Sequence, residues 1–248
     1  MAAVGVALGI AGAARGETVA TNFESGTAEG WGLIGLTSPV SGLNGLKSPA
    51  NYTSTIGVAT TGGVDGAGYI YGTDNTPDAL YFAAAAVFLG SKTAFTDGTL
   101  SFAIRNQGDS AVPIGPNDSP LILVNSKTTK ALYQSVMPTV TTAFSTLTYK
   151  LGLGGGWKLN SKTGPDATAA DFAEVLGDLG AAYILADYRA GNGETTSIDN
   201  VQMSSPVNSA PESGTVALML LAASCTLGRR RRLTRPSRAA SPRDAVRS

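Results

Sequence analysis

The feature that most constrains this chain is a series of short apolar runs in which large side chains recur at every second position. Leu100, Phe102 and Ile104 alternate with Ser101, Ala103 and Arg105, directly after the turn signal Thr96-Asp97-Gly98. That period of two is the signature of a strand with one face in a core. Runs at 121–125, 131–137 and 144–151 continue the series at spacings that suit an antiparallel sandwich. The stretch 79–90 contains Tyr81-Phe82, four alanines and Val87-Phe88-Leu89. It could be helical by propensity, but its neighbours favour extended structure.

One helix interrupts the strands. Thr168 is placed to cap it, Asp171 follows three residues later near the positive helix end, and Phe172, Val175, Leu176 and Leu179 share a face, with Gly180 as the stop. Residues 181–188 then read as a strand and 196–203 as the last strand. At the other end, Asn22-Phe23-Glu24 and Glu29-Gly30-Trp31 read as a first strand with Trp31 closing onto the core. Between 32 and 71, Gly, Ser, Thr and Asn imply loops and edge strands. The glycine-rich 152–156 lacks the Gly-Lys-Ser/Thr that completes a phosphate loop, so it reads as a flexible loop. The body is therefore expected to be mainly β: an antiparallel, jelly-roll-like sandwich with one short helix.

The 248 residues contain no histidine, and their single cysteine is Cys225. This excludes a Ser-His-Asp triad, a Cys-His dyad, a His-based zinc site and a disulfide framework. Between residues 17 and 208, 7 Lys and 2 Arg stand against 16 Asp and Glu, whereas residues 229–248 hold 8 Arg against Asp244 alone. An acidic body argues against a nucleic-acid partner, which requires a basic face.

Both ends read as targeting segments. Residues 1–16 are small and apolar, and Ala14 and Gly16 stand at −3 and −1 of a cut after Gly16, as in a secretory signal peptide, although no basic residue precedes Val4. Near the other end, a run of about 14 uncharged residues precedes Gly228 and the four arginines Arg229, Arg230, Arg231 and Arg232. As a helix it would span roughly 21 Å, short of a hydrocarbon core of about 30 Å. Basic residues stay on the cytoplasmic side, so everything before residue 210 would face outward.

With Pro211 and Glu212 in front of that run, residues 210–232 resemble the PEP-CTERM sorting signal of exosortase-processed bacterial surface proteins. The second proline of the motif is Ser213 here, and a basic tail, 233–248, follows the arginines. The resemblance implies an exosortase-like processing partner, a transient membrane helix, and delivery to the cell surface or extracellular matrix. A plain tail anchor is the alternative. The resulting organisation is a signal peptide at 1–16, a β-domain at 17–203, a linker at 204–209, the sorting signal at 210–232 and a disordered basic tail at 233–248.

Within the body, Phe88-Leu89-Gly90, the strand 98–102, Trp157, the helix from Asp171-Phe172 to Leu179, and Ile198-Asp199-Asn200-Val201 resemble the laminin B (laminin IV type A) domain. That family is a β-sandwich related to galactose-binding jelly rolls. Where it carries an Ile-Arg-Ala strand, this chain has Ile184-Leu185-Ala186.

Asp199 is the acid most in need of explanation. Val201 and Met203 share its face in a regular strand, which turns its carboxylate inward, and an unpaired buried charge is costly. Hydrogen bonds with turn support, an ion pair with Arg189, and calcium held with Glu24 are all open; the last draws on the calcium common in similar jelly rolls. No other cofactor is expected.

The function implied is non-catalytic: an exported surface or matrix protein that contacts exopolysaccharide, with Tyr52, Tyr69 and Tyr71 as stacking candidates. The rival is a secreted hydrolase using two of the acids Asp65, Asp74, Asp78, Asp171, Glu174 and Asp187. Their spacing picks out no pair.

Overall fold

The computed structural model describes residues 16–36, 55–75, 79–108, 118–128, 130–189 and 193–206, all within one compact unit. The segments read as signal peptide (before Gly16) and as sorting signal and basic tail, together with the sites Pro211, Glu212 and Arg229 to Arg232, lie outside the described residues. So do Tyr52 and Asp78. Among the described residues no helix is long and apolar enough to cross a membrane.

Among the described residues twelve strands form two six-stranded antiparallel sheets. Sheet A contains β1 (Thr18–Thr21), β3 (Gly57–Ala59), β4 (Tyr69–Thr73), β6 (Thr99–Gln107), β9 (Ser145–Lys150) and β12 (Thr195–Ser204), in the order β3-β4-β12-β6-β9, with β1 also on β12. Sheet B contains β2 (Gly32–Leu36), β5 (Ala79–Ala83), β7 (Leu121–Asn125), β8 (Ala131–Gln134), β10 (Trp157–Leu159) and β11 (Leu179–Leu185), in the order β10-β8-β7-β11-β5-β2. The expected β-sandwich is thus the architecture observed.

Register explains which side chains form the core. In sheet A, Ile70, Ile198 and Ile104 stand side by side across three strands and are completely buried. In sheet B, Leu33, Phe82, Ile184 and Leu121 form the corresponding row. The rows face each other: a Cβ on Gly72 of β4 would lie 2.6 Å from Leu33, so only glycine fits where the sheets approach.

The helix α1 (Ala169–Gly177) packs on β7 and β8, with Phe172 edge-on to Trp157 at 6.1 Å. Its start is a capping box: Thr168 accepts from the Asp171 amide, and the Asp171 carboxylate accepts from the Thr168 amide. Its end differs from expectation. Asp178 caps it, and Leu179 and Gly180 already belong to β11. A Cβ on Gly180 would sit 2.6 Å from the Ser126 backbone, so this glycine serves strand pairing rather than helix termination.

Two further expectations are corrected. The first strand is β1, and 22–31 is a loop that turns sharply at Phe23 (φ 57) before Trp31 packs edge-on to Phe23 and Phe88. The glycine-rich 152–156 is a tied turn rather than a flexible loop. The Gln134 side chain donates to the Gly155 carbonyl at 2.8 Å and the Trp157 indole donates to the Lys150 carbonyl at 2.7 Å.

Candidate functional site

The outer face of sheet A carries the site. Tyr71 of β4 pairs with Ser197 of β12, and Ser197 with Arg105 of β6, one residue out of phase with the buried isoleucine row. Strand alternation therefore sends all three side chains away from the core, although Ser197, between the other two, is only 1% exposed. Tyr69, two residues before Tyr71, projects on the same side. Phe144, just before β9, closes the group. Tyr69, Tyr71, Arg105 and Phe144 are all half-buried.

The geometry of the group is that of a stacked platform. The Arg105 guanidinium lies 4.7 Å from the centre of the Tyr69 ring and 4.4 Å from that of Phe144. The two rings meet edge to face at 5.7 Å, and Tyr69 and Tyr71 are 6.2 Å apart. Each cation–π contact at a partly exposed site contributes roughly 0.5–1 kcal/mol, which fixes a side chain that would otherwise be mobile. The Tyr71 ring lies across Gly57 of the edge strand, where an added Cβ would meet it at 2.2 Å, so any larger residue would lift the tyrosine off the sheet. A groove of about 310 Å³ continues the face, lined by Thr21, Asn22, Val64, Ala103, Thr146 and Gln202 among others.

Asp199 borders this face. The ladder between β12 and β6 slips between Asp199 and Gln202, leaving one extra residue on β12, and Asn200 takes a positive φ of 49. Because of the bulge, Val201 and Met203 share the core side with Ile198 instead of with Asp199. Burial of Asp199 comes instead from the 60–68 loop. Its Oδ2 accepts from the Val64 amide at 2.9 Å and its Oδ1 from the Asn200 amide at 2.7 Å. Gly63 is required there, since a Cβ would lie 2.5 Å from Oδ2. Burial raises the Asp199 pKa, the two amides oppose that, and Asp65 and Glu24 nearby add to the rise. Arg189 donates to the Gly108 carbonyl at 2.7 Å. Both Asp199 oxygens are thus engaged by backbone, and among the described residues no group of three or more acidic, histidine or cysteine side chains is placed to hold a metal ion. The Asp199 carboxylate therefore serves as hydrogen-bonded support for the bulge, and Glu24 lies near enough for its charge to act on it.

Of the other candidate acids, Asp65 is exposed and accepts from the Ala67 amide at 3.3 Å, and the rest of those described fall into two structural sets. Asp171 and Glu174 grip Lys130 at 2.8 and 2.7 Å, and the Lys130 hydrogen bond, aided by Thr168, holds Asp171 down at about 2. Asp74 and Asp187 do come together, with Asp118 and Glu194, at the end of the sandwich where β4 stops, β12 starts, β11 stops and β7 starts. All four are nearly inaccessible, from 3% to 8% exposed, so they do not face one another across an open cleft as glycosidase carboxylates must. Burial, with Glu194, Asp74 and Asp118 close by, pushes Asp187 up to about 8, and burial likewise raises Glu194. Among the described residues Asp187 Oδ1 and Glu194 Oε2 have no hydrogen-bond partner.

Sequence reasoning singled out Tyr69 and Tyr71 but missed Arg105 and Phe144. A usable signal existed: Arg105 is one of only two arginines in the body, and it lies on the polar phase of a strand with strict alternation.

Comparison with known proteins decides the family. The laminin B (domain IV) profile matches residues 81–218, more than half of the chain. The chain belongs to the laminin B family. Among solved structures, the L4b domain of human laminin alpha-2 superposes with a TM-score of 0.53 at 16% identity, over 70% of this chain and 90% of that one. This laminin B domain and that one therefore share a fold. The CBM22-1 xylan-binding domain of Paenibacillus barcinonensis Xyn10C aligns at 13% identity over 80% of this chain and all of that one, with a TM-score of 0.46. No curated protein matches the sequence.

Proposed function

We propose that this laminin B domain is the binding body of an exported, non-catalytic surface or matrix protein, and that it holds exopolysaccharide against the outer face of sheet A. The observation that carries this reading is the platform of Tyr69, Tyr71 and Phe144, fixed around Arg105 and running into the adjoining groove. Sugar rings present flat C–H faces and hydroxyl edges. Half-buried aromatic faces beside Ser, Thr, Asn and Gln side chains offer both complements, and tyrosine does so with little conformational entropy to lose. The buried setting of the Asp74 and Asp187 cluster supports a binding role over hydrolysis.

Delivery is assigned to the two ends: removal of the leader after Gly16, then an exosortase-like enzyme acting near Pro211 and Glu212 while Arg229 to Arg232 stay on the cytoplasmic side. The membrane is a temporary partner in this scheme, and the cell surface or matrix is the destination. Protein recovered from its native host tests both halves at once. Its intact mass should lack the leader and the terminal arginines, and it should co-sediment with the cell's own exopolysaccharide. A full-length mass would end the sorting scheme, and a soluble protein that leaves the polysaccharide behind would end the binding role.

A further inference from the structure

We propose that the polysaccharide bound on sheet A is an acidic one, whose uronate carboxylates are read by Arg105. The inference rests on the polysaccharide-binding role given above and specifies its ligand. Arg105 is held over the Tyr69 and Phe144 rings at 4.7 and 4.4 Å, yet its Nε is enclosed with no hydrogen-bond acceptor. Among the described residues no carboxylate forms an ion pair with it.

A guanidinium has five donors and is never deprotonated, so ring contacts alone leave most of its bonding capacity unused. Its planar fork matches a carboxylate, and the aromatic contacts have already removed the freedom such a bond would otherwise cost. Tyr71 stands in the same cross-strand row, half-buried and placed for a ring face of the same sugar, while Ser197, between Tyr71 and Arg105, is buried.

The acidity of the body does not oppose this. Asp97, Asp166 and Asp178 each pair with a lysine, Asp171 and Glu174 share Lys130, Asp74, Asp118, Asp187 and Glu194 are buried, and Asp199, two positions along the face, is bound by amides. More distant charges are screened beyond about 8 Å at physiological salt.

Calorimetric titration of the full-length protein with oligogalacturonate and with its neutral methyl ester tests the proposal. The native protein should bind the acid more tightly by about tenfold to a hundredfold, the value of one charged hydrogen-bonded contact. Arg105→Gln should abolish that preference, bringing acid and ester to equal affinity. Arg105→Lys should keep only part of it, because an ammonium lacks the planar fork. The basic C-terminal tail is common to all three proteins, so differences among them report Arg105. Equal affinity of the native protein for acid and ester, or an unchanged preference in Arg105→Gln, would overturn the acidic-ligand inference and leave polysaccharide binding standing. Binding of neither compound, nor of any neutral polysaccharide, would overturn both.

Discussion

The two sheets of this sandwich use the same alternation for opposite ends. In sheet B, β5, β7 and β8 are buried at every position; sheet A covers one side, and α1 lies over β7 and β8 on the other. In sheet A, β4 and β6 alternate buried and half-buried residues, and the half-buried set is Tyr69, Tyr71 and Arg105 with their neighbours. The difference teaches that burial is deepest where the sequence is uniformly apolar, whereas side chains free to meet a ligand lie where, among the described residues, the outward phase of the alternation is left uncovered. A strand buried on both sides has no position free to meet a ligand.

The comparison is broken most severely by a cavity in sheet B. Phe82 lies between Leu33 and Ile184 in the central row, and Phe82→Ala should cost about 3–5 kcal/mol in chemical denaturation. A much smaller loss would mean that sheet B does not dominate stability.

The next largest effect concerns the sandwich end. The folded protein keeps the Asp187 proton until about pH 8, whereas the unfolded chain releases it near the ordinary value of 3.8. Between these limits the native state binds more protons, so stability should fall as pH rises, by on the order of 1 kcal/mol per pH unit at most. Glu194, also shifted upward, adds in the same direction. Melting temperatures from pH 5 to 9 should therefore decline, and Asp187→Asn should flatten the decline. An identical slope in the variant would remove Asp187 as its source.

The smallest stability change sharpens the contrast. Tyr71→Ala on the open face should cost about 1 kcal/mol or less, yet weaken polysaccharide binding severalfold. A loss comparable with that of Phe82→Ala would make the platform a structural element.

Much of sheet B and α1 was legible in the sequence. The run at 121–125 coincides with β7, and Thr168 with Asp171 marked the helix start, because local pattern and capping chemistry act over a few residues. What escaped depends on distant partners. The four residues of β1 carry no pattern of their own and become a strand by pairing with β12. The bulge after Asp199 changes the face of everything beyond it, and nothing in Ile198-Asp199-Asn200-Val201 announces an extra residue. Tyr69 and Tyr71 were readable as candidate stacking residues. Their grouping with Arg105 and Phe144 needed the β4-β12-β6-β9 order, which no local signal supplies. Asp187 and Glu194 were separately visible as acids, but their shared burial follows from four strand ends meeting.

The central claim, that the uncovered face of sheet A is the binding surface, is tested most directly by hydrogen–deuterium exchange on the native protein with and without its host exopolysaccharide. The account predicts slower exchange in 57–59, 69–73, 99–107 and 144–150, with β5, β7 and β11 unchanged. Protection confined to sheet B or to the loops at the Asp187 end, with sheet A unaltered, would contradict it.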